Sequence, residues 1–190
     1  MVITLPINSQ TAEEYLKNGN AKLNNDDYYG AIADYTKAIE LIPDFAIAYN
    51  NRGIAKYLLG DDNGAIADHT KVIELNPDDA SAYYNRGNAK STLGDKNGAI
   101  ADFNKAIELR PDYASAYYNR GAVKGKLKDY YGAIADYTKA IELRPDYASA
   151  YYNRGIAKGS LGDAKGACQD ARKAQQLGYD ATELINLACN

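Results

Sequence analysis

Small and apolar residues return to the same places along this chain every 34 residues. Ala99 to Gly121 reads AIADFNKAIELRPDYASAYYNRG, and Ala133 to Gly155 reads AIADYTKAIELRPDYASAYYNRG. The two stretches differ only at Phe103/Tyr137 and Asn104/Thr138. Aligned on the prolines, the units are 12–45, 46–79, 80–113, 114–147 and 148–181. Each contains two helical patterns, in the third unit ASAYYNRGNAKSTLG and then GAIADFNKAIELRP. Such a chain is a stack of one small unit, and the fold follows from that unit.

Three rows of small residues show how the two helices of a unit meet. Position 8 is Gly19, Gly53, Gly87, Gly121 and Gly155. Position 20 is Ala31, Ala65, Ala99, Ala133 and Ala167, and position 27 is Ala38, Val72, Ala106, Ala140 and Ala174. Glycine inside a helix costs roughly 1 kcal/mol against alanine, so its return implies close antiparallel packing. Pro43, Pro77, Pro111 and Pro145 end the second helices. The following Asp44, Asp78, Asp112 and Asp146 are expected to cap the next first helices. Thr11 and Glu14 form a capping box for the first unit. Gly60-Asp61, Gly94-Asp95 and Gly162-Asp163 supply turns between helices. Residues 182–190, TELINLACN, read as a short capping helix started by Thr182, as a terminal repeat requires. Residues 1–11 carry no helical pattern and are expected to form a flexible arm.

The pattern resembles the tetratricopeptide repeat (TPR) from residue 12 to about residue 181. The resemblance rests on an aromatic at position 4 (Tyr15, Tyr49, Tyr83, Tyr117, Tyr151), Gly at 8, Ala at 20, usually an aromatic at 24, a small residue at 27 and Pro at 32. It implies an all-α superhelix, a solenoid of five helix pairs, plus the C-terminal cap. Departures are Arg at position 7 (Arg52, Arg86, Arg120, Arg154), Lys at position 11 and Gly at position 19 throughout. The first unit has Asn25-Asp26 at its turn, the fourth has Lys128 in place of Gly, and the fifth has Tyr179 in place of Pro.

The same resemblance implies a concave groove lined by first helices. Carried onto this chain, it is lined by Asn51, Asn85, Asn119 and Asn153 at position 6 and by Tyr84, Tyr118 and Tyr152 at position 5. Asn88 and Lys126 join them, the latter the exception in a nearly uncharged surface. A carboxamide donates and accepts, so a row of Asn can pair with the backbone of an extended peptide. An Asn ladder of this kind is a feature of the TPR superhelix of O-GlcNAc transferases, which this row resembles. The alternative is that the Asn pair within the array or with water. The Tyr row is likewise open between taking apolar or Pro-rich side chains and packing along the neighbouring helix. The family's carboxylate clamp for chaperone tails needs Lys or Arg at positions 2 and 6. Ser and Asn stand there from the third unit on, so that mechanism is rejected.

Composition narrows the partners. A net charge of -3 disfavours nucleic acid and anionic membranes, which need clustered cations. No apolar run approaches the ~20 residues of a membrane span, and MVITLPINSQT lacks the basic and apolar regions of a signal peptide. The expected compartment is the cytoplasm. Arg at position 7 and Asp at position 23 (Asp68, Asp102, Asp136, Asp170) are expected to pair between helices, with Lys at position 11 snorkelling. His69 reads as a core filler. Cys168, where other units have Ile, reads as a buried apolar thiol, and Cys189 as a tail residue open to incidental intermolecular oxidation. No cofactor, metal or catalytic constellation is called for.

The expected function is a non-catalytic scaffold that binds a protein or peptide partner in the groove. The alternative is a self-assembling repeat array, a weak homo-oligomer joined through its thin apolar cap.

Overall fold

The computed structural model describes residues 10–189. Among them every regular element is a helix: α1 (Ala12–Asn24), α2 (Tyr28–Leu41), α3 (Ala46–Leu58), α4 (Asp62–Leu75), α5 (Ala80–Thr92), α6 (Lys96–Leu109), α7 (Ala114–Lys126), α8 (Tyr130–Leu143), α9 (Ala148–Ser160), α10 (Ala164–Gln176) and α11 (Thr182–Ala188). The expected flexible arm lies, for residues 1–9, outside the described residues.

The chain divides into two compact units, one running to Leu93 and the other starting at Gly94. In the first, α1 packs on α2 and α3 on α4, while α2 meets α3 and α4 meets α5. First helices also touch their successors, α1 with α3 and α3 with α5. In the second, α7 packs on α8 and α9 on α10, α6 meets α7, α7 meets α9, and α11 lies against α9 and α10.

The glycines at position 8 have the packing reason the sequence implied. A Cβ on Gly19 would lie 2.6 Å from the Tyr35 ring, and one on Gly53 would lie 2.9 Å from the His69 ring. On Gly121 it would meet Tyr137 at 3.0 Å. The ring at position 24 therefore lies flat on the preceding helix, and only glycine leaves room for it. In the last pair that ring is replaced by Ala171, and Leu184 of α11 comes to Gly155 instead, 2.9 Å from where a Cβ would stand. Leu184 is buried with Ala171, Ala174 and Ala181, and Tyr151 and Tyr152 pack against this set. The cap thus supplies the side chain that its own repeat lacks.

The capping expectations need correction. Asp44, Asp112 and Asp146 do not cap the first helices. The N-caps are Phe45, Tyr113 and Tyr147, none with a side-chain cap bond. Asp78 is also displaced, because Asp79 caps α5 by accepting from the N–H groups of Ser81 and Ala82. Each proline and the aspartate after it form a turn, so the helix starts one residue later. Thr182 is the first residue of α11, and Ala181 holds the cap position. Asp180 accepts from the Thr182 N–H, and the Thr182 hydroxyl, with that N–H, holds its carboxyl below its ordinary value. The Thr11–Glu14 capping box is present.

The aspartates of the turns carry the role instead. Asp27, Asp61, Asp95, Asp129 and Asp163 each cap a second helix by accepting from the N–H of Gly30, Gly64, Gly98, Gly132 and Gly166. A Cβ at any of these glycines would collide with the capping carboxylate. That collision explains glycine at position 19 in all five units.

The cysteines also differ from expectation. Cys168 and Cys189 form an intramolecular disulfide with Cα atoms 5.0 Å apart. Cys168 is half-buried rather than a sealed apolar thiol. The bridge ties the end of α11 to α10, and Cys189 is therefore committed within its own chain.

Candidate functional site

The first helices that carry the sequence-derived site residues are tied to the second helices by buried charge. Arg52 makes a two-pronged bond to Asp68, at 2.9 and 2.7 Å, and its third nitrogen donates to Thr36. Arg120 repeats this with Asp136 and Asn104, and Arg154 with Asp170 and Thr138. The Arg–Asp pairing is therefore structural, as expected. Lys at position 11 does more than snorkel: Lys56, Lys124 and Lys158 each reach the same Asp at 2.7–2.8 Å. Each of these Asp is nearly enclosed, at 3–4% exposure, and is matched by two cations. A buried carboxylate left with one partner fewer would be strongly destabilising. The guanidinium planes also sit over Tyr49, Tyr117 and Tyr151 at 5.3–5.4 Å, fixing the position 4 rings.

Within the first unit, the face of α3 and α5 holds a cavity of about 170 Å³ floored by His69 and lined by Ile54, Tyr57, Leu58, Asn85 and Asn88. His69 is 1% exposed. Burial, opposed by Asp68 and Asp79 and aided by Arg86, lowers its pKa to about 4. The imidazole is thus neutral, and its Nδ1 has no hydrogen-bond partner. Asn85 is half-buried at the cavity wall, and its carboxamide makes no hydrogen bond to the described residues. Asn51 differs: it donates to Asn20 at 2.8 Å and accepts from Asn50 at 3.0 Å. Its carboxamide is committed inside the protein.

Within the second unit, a cavity of about 380 Å³ opens between α7 and α9 over the ring of Tyr137. Lys126 and Asn153 from the sequence-derived set both line it. Asn153 donates to the Tyr118 hydroxyl at 2.9 Å. Tyr118 in turn packs its ring 4.8 Å from Tyr147 and 5.7 Å from Tyr137. Tyr152 lies 4.7 Å from Tyr179 and against the cap. For Tyr118 and Tyr152, packing against neighbours is thus the role the structure displays. Asn119 and Tyr84 lie half-buried on α7 and α5, both engaged in interactions. Sequence reasoning did not single out His69, Tyr130 or Tyr137 as cavity-formers. For Tyr137 the signal was available in the rows themselves, because Ala122 and Gly125 at positions 9 and 12 leave the ring beneath them uncovered, whereas Ile54 and Tyr57 stand at those positions over His69.

Stacked helix pairs whose first helices line open cavities define a class: α-helical repeat scaffolds that hold other proteins. The comparisons name the family. The TPR repeat profile matches residues 19–60, 55–94 and 92–128, and tetratricopeptide repeat profiles match 114–147 and 136–169. Among solved structures, a crystal structure of MamA protein is similar at 30% identity and a TM-score of 0.80, covering 87% of this chain and 91% of that one. MamA 41-end from Desulfovibrio magneticus RS-1 aligns with a TM-score of 0.81 at 22% identity, covering 87% of this chain and 94% of that one. YrrB, described as a TPR protein with an unusual peptide-binding site, aligns with a TM-score of 0.76 at 22% identity, covering 96% of this chain and 93% of that one. No curated protein matches the sequence. This chain belongs to the TPR family, a family of protein–protein interaction scaffolds. No helix among the described residues is long and apolar enough to cross a membrane.

Proposed function

We infer that the chain is a non-catalytic scaffold that holds an extended segment of a partner protein against its first helices. The observation that carries this reading is the Asn85 carboxamide, half-buried at an open cavity with its donors and acceptor unspent within the described residues. A peptide crossing α5 offers it one N–H and one C=O, each bond contributing about 0.5–1.5 kcal/mol. The Asn row is not uniform in this role: Asn85 can grip, while Asn51 and Asn153 spend donors inside the protein. Peptide affinity should therefore be modest and tolerant of sequence. The test is capture of interacting proteins by wild type, Asn85→Ala and Asn51→Ala. Loss of capture with Asn85→Ala and retention with Asn51→Ala is expected. Equal capture by all three removes backbone gripping.

The place of action depends on the cysteine pair. A closed Cys168–Cys189 bridge belongs to an oxidising compartment, so work in the cytoplasm requires the thiols to be reduced there. Alkylation in intact cells followed by mass measurement decides between the two.

A further inference from the structure

The cavity of the second unit is built unlike its counterpart in α1 and α2. There the Tyr35 hydroxyl donates to Asn20 at 2.8 Å. The residue in the place of Asn20 is Ala122 in the second unit, and Gly125 stands where Leu23 stands in α1. Both replacements remove side chains from above the ring. A Cβ on Gly125 would lie 4.0 Å from the Tyr137 hydroxyl, an open approach. Tyr137 is 4% exposed, and its hydroxyl makes no hydrogen bond to the described residues. Tyr137 lines the cavity, so its hydroxyl is open to a group that enters from outside.

The chemistry of that group follows from the lining. Ala122, Ile156 and Ala157 make apolar walls. Lys126 stands exposed at the mouth with no ion pair to the described residues, and no Asp or Glu lines the cavity. Burial pushes the Tyr137 pKa up, so the hydroxyl stays protonated and able to donate. An apolar neck, a donor at the floor and a lone cation at the rim fit an aliphatic stem that ends in an anion. Glutamate has this form. A chain terminus would carry its own amide N–H into the apolar neck.

We propose that the cavity over Tyr137 is an anchor subsite for an acidic side chain, glutamate first, of a bound partner peptide. Its carboxylate accepts from the Tyr137 hydroxyl and is neutralised by Lys126. The proposal rests on the peptide-holding reading above.

The probe is an acetylated and amidated peptide library with one defined residue among mixed neighbours. Peptides fixed as Glu, Gln and Leu are labelled and titrated at low salt by fluorescence polarisation. Glu is expected to bind about tenfold tighter than Gln. Tyr137→Phe and Lys126→Ala should each remove most of that preference while leaving Leu peptides unchanged. Ala122→Asn, which restores the bond made by Asn20, should close the subsite and raise the melting temperature. A Glu preference unchanged in Tyr137→Phe and Ala122→Asn overturns the subsite, as does binding that needs a free C-terminal carboxylate in place of the side chain. Binding of Glu, Gln and Leu peptides alike overturns the subsite and spares the scaffold reading. Binding of none overturns both.

Discussion

His69 occupies a place where its counterparts are Tyr35, Phe103 and Tyr137, and it is as buried as they are. Its apolar repeat position made the core reading legible, but nothing in the pattern revealed a neutral imidazole with an orphan Nδ1 beside a cavity. Between pH 6.5 and about 4 the unfolded chain binds a proton that the folded chain excludes. Stability is therefore full above pH 6.5 and declines on acidification, by on the order of 3 kcal/mol at pH 4. Asp68, Asp79 and Arg86 face the ring, and their partial cancellation leaves burial in charge. In denaturant titrations across this range, His69→Phe should flatten the decline relative to wild type. An unchanged pH profile would show that His69 is not its source. Lys128 makes a second residue-scale case. It adopts φ 64, where Gly60, Gly94 and Gly162 at the same repeat position adopt 82 to 86. A side chain there costs roughly 1 kcal/mol, so Lys128→Gly should raise the melting temperature by a few degrees.

Helix boundaries show how far the repeat pattern reaches. Prolines marked the ends of second helices, yet the aspartates after them did not start the next ones. Tyr113 and Tyr147 hold those starts under Arg110 and Arg144, whose guanidinium carbons lie 4.5 and 4.1 Å above the rings. The turn aspartates proved to be the caps, and a carboxylate that reaches back over a glycine leaves no mark in hydrophobic periodicity. Glycine to alanine inside a helix ordinarily stabilises. Gly132→Ala should do the reverse, costing about 1 kcal/mol through the lost Asp129 cap. A rise in melting temperature would show the cap to be weaker than its geometry suggests. For α11, the bridge closes a loop of sequence separation 21, which in the chain-entropy account stabilises by about 3 kcal/mol. Reduction should therefore release α11 first, seen as loss of amide protection at Leu184 and Ile185 before any loss in α9. The sequence placed Leu184 in a cap but could not pair the cysteines, since two thiols 21 residues apart have no spacing rule that joins them.

At the scale of the whole chain, the 34-residue frame made the fold legible and the chemistry of the candidate site only half so. Which carboxamide is free depends on what stands at position 9 of an adjoining first helix. Asn20 draws in Asn51, whereas Ala122 leaves Tyr137 bare and Asn153 turned to Tyr118. Identical rows thus acquire different chemistry from their variable flanks, which a consensus reading averages away. The same logic bears on self-assembly, the alternative function. α11 buries Leu184 against Ala171 and Ala174 but leaves Leu187 at 75% exposure. One exposed leucine offers little area for a stable interface, while the surface beneath α11, with Tyr151 and Tyr152, is larger and apolar. Oxidised chain should therefore be monomeric by light scattering across a wide concentration range. Leu184→Asp under reducing conditions should uncover that surface and give a mass that climbs with concentration. Association of the oxidised wild type, undiminished by Leu187→Ser, would instead place the interface elsewhere and bring the self-assembling array back as the chain's function.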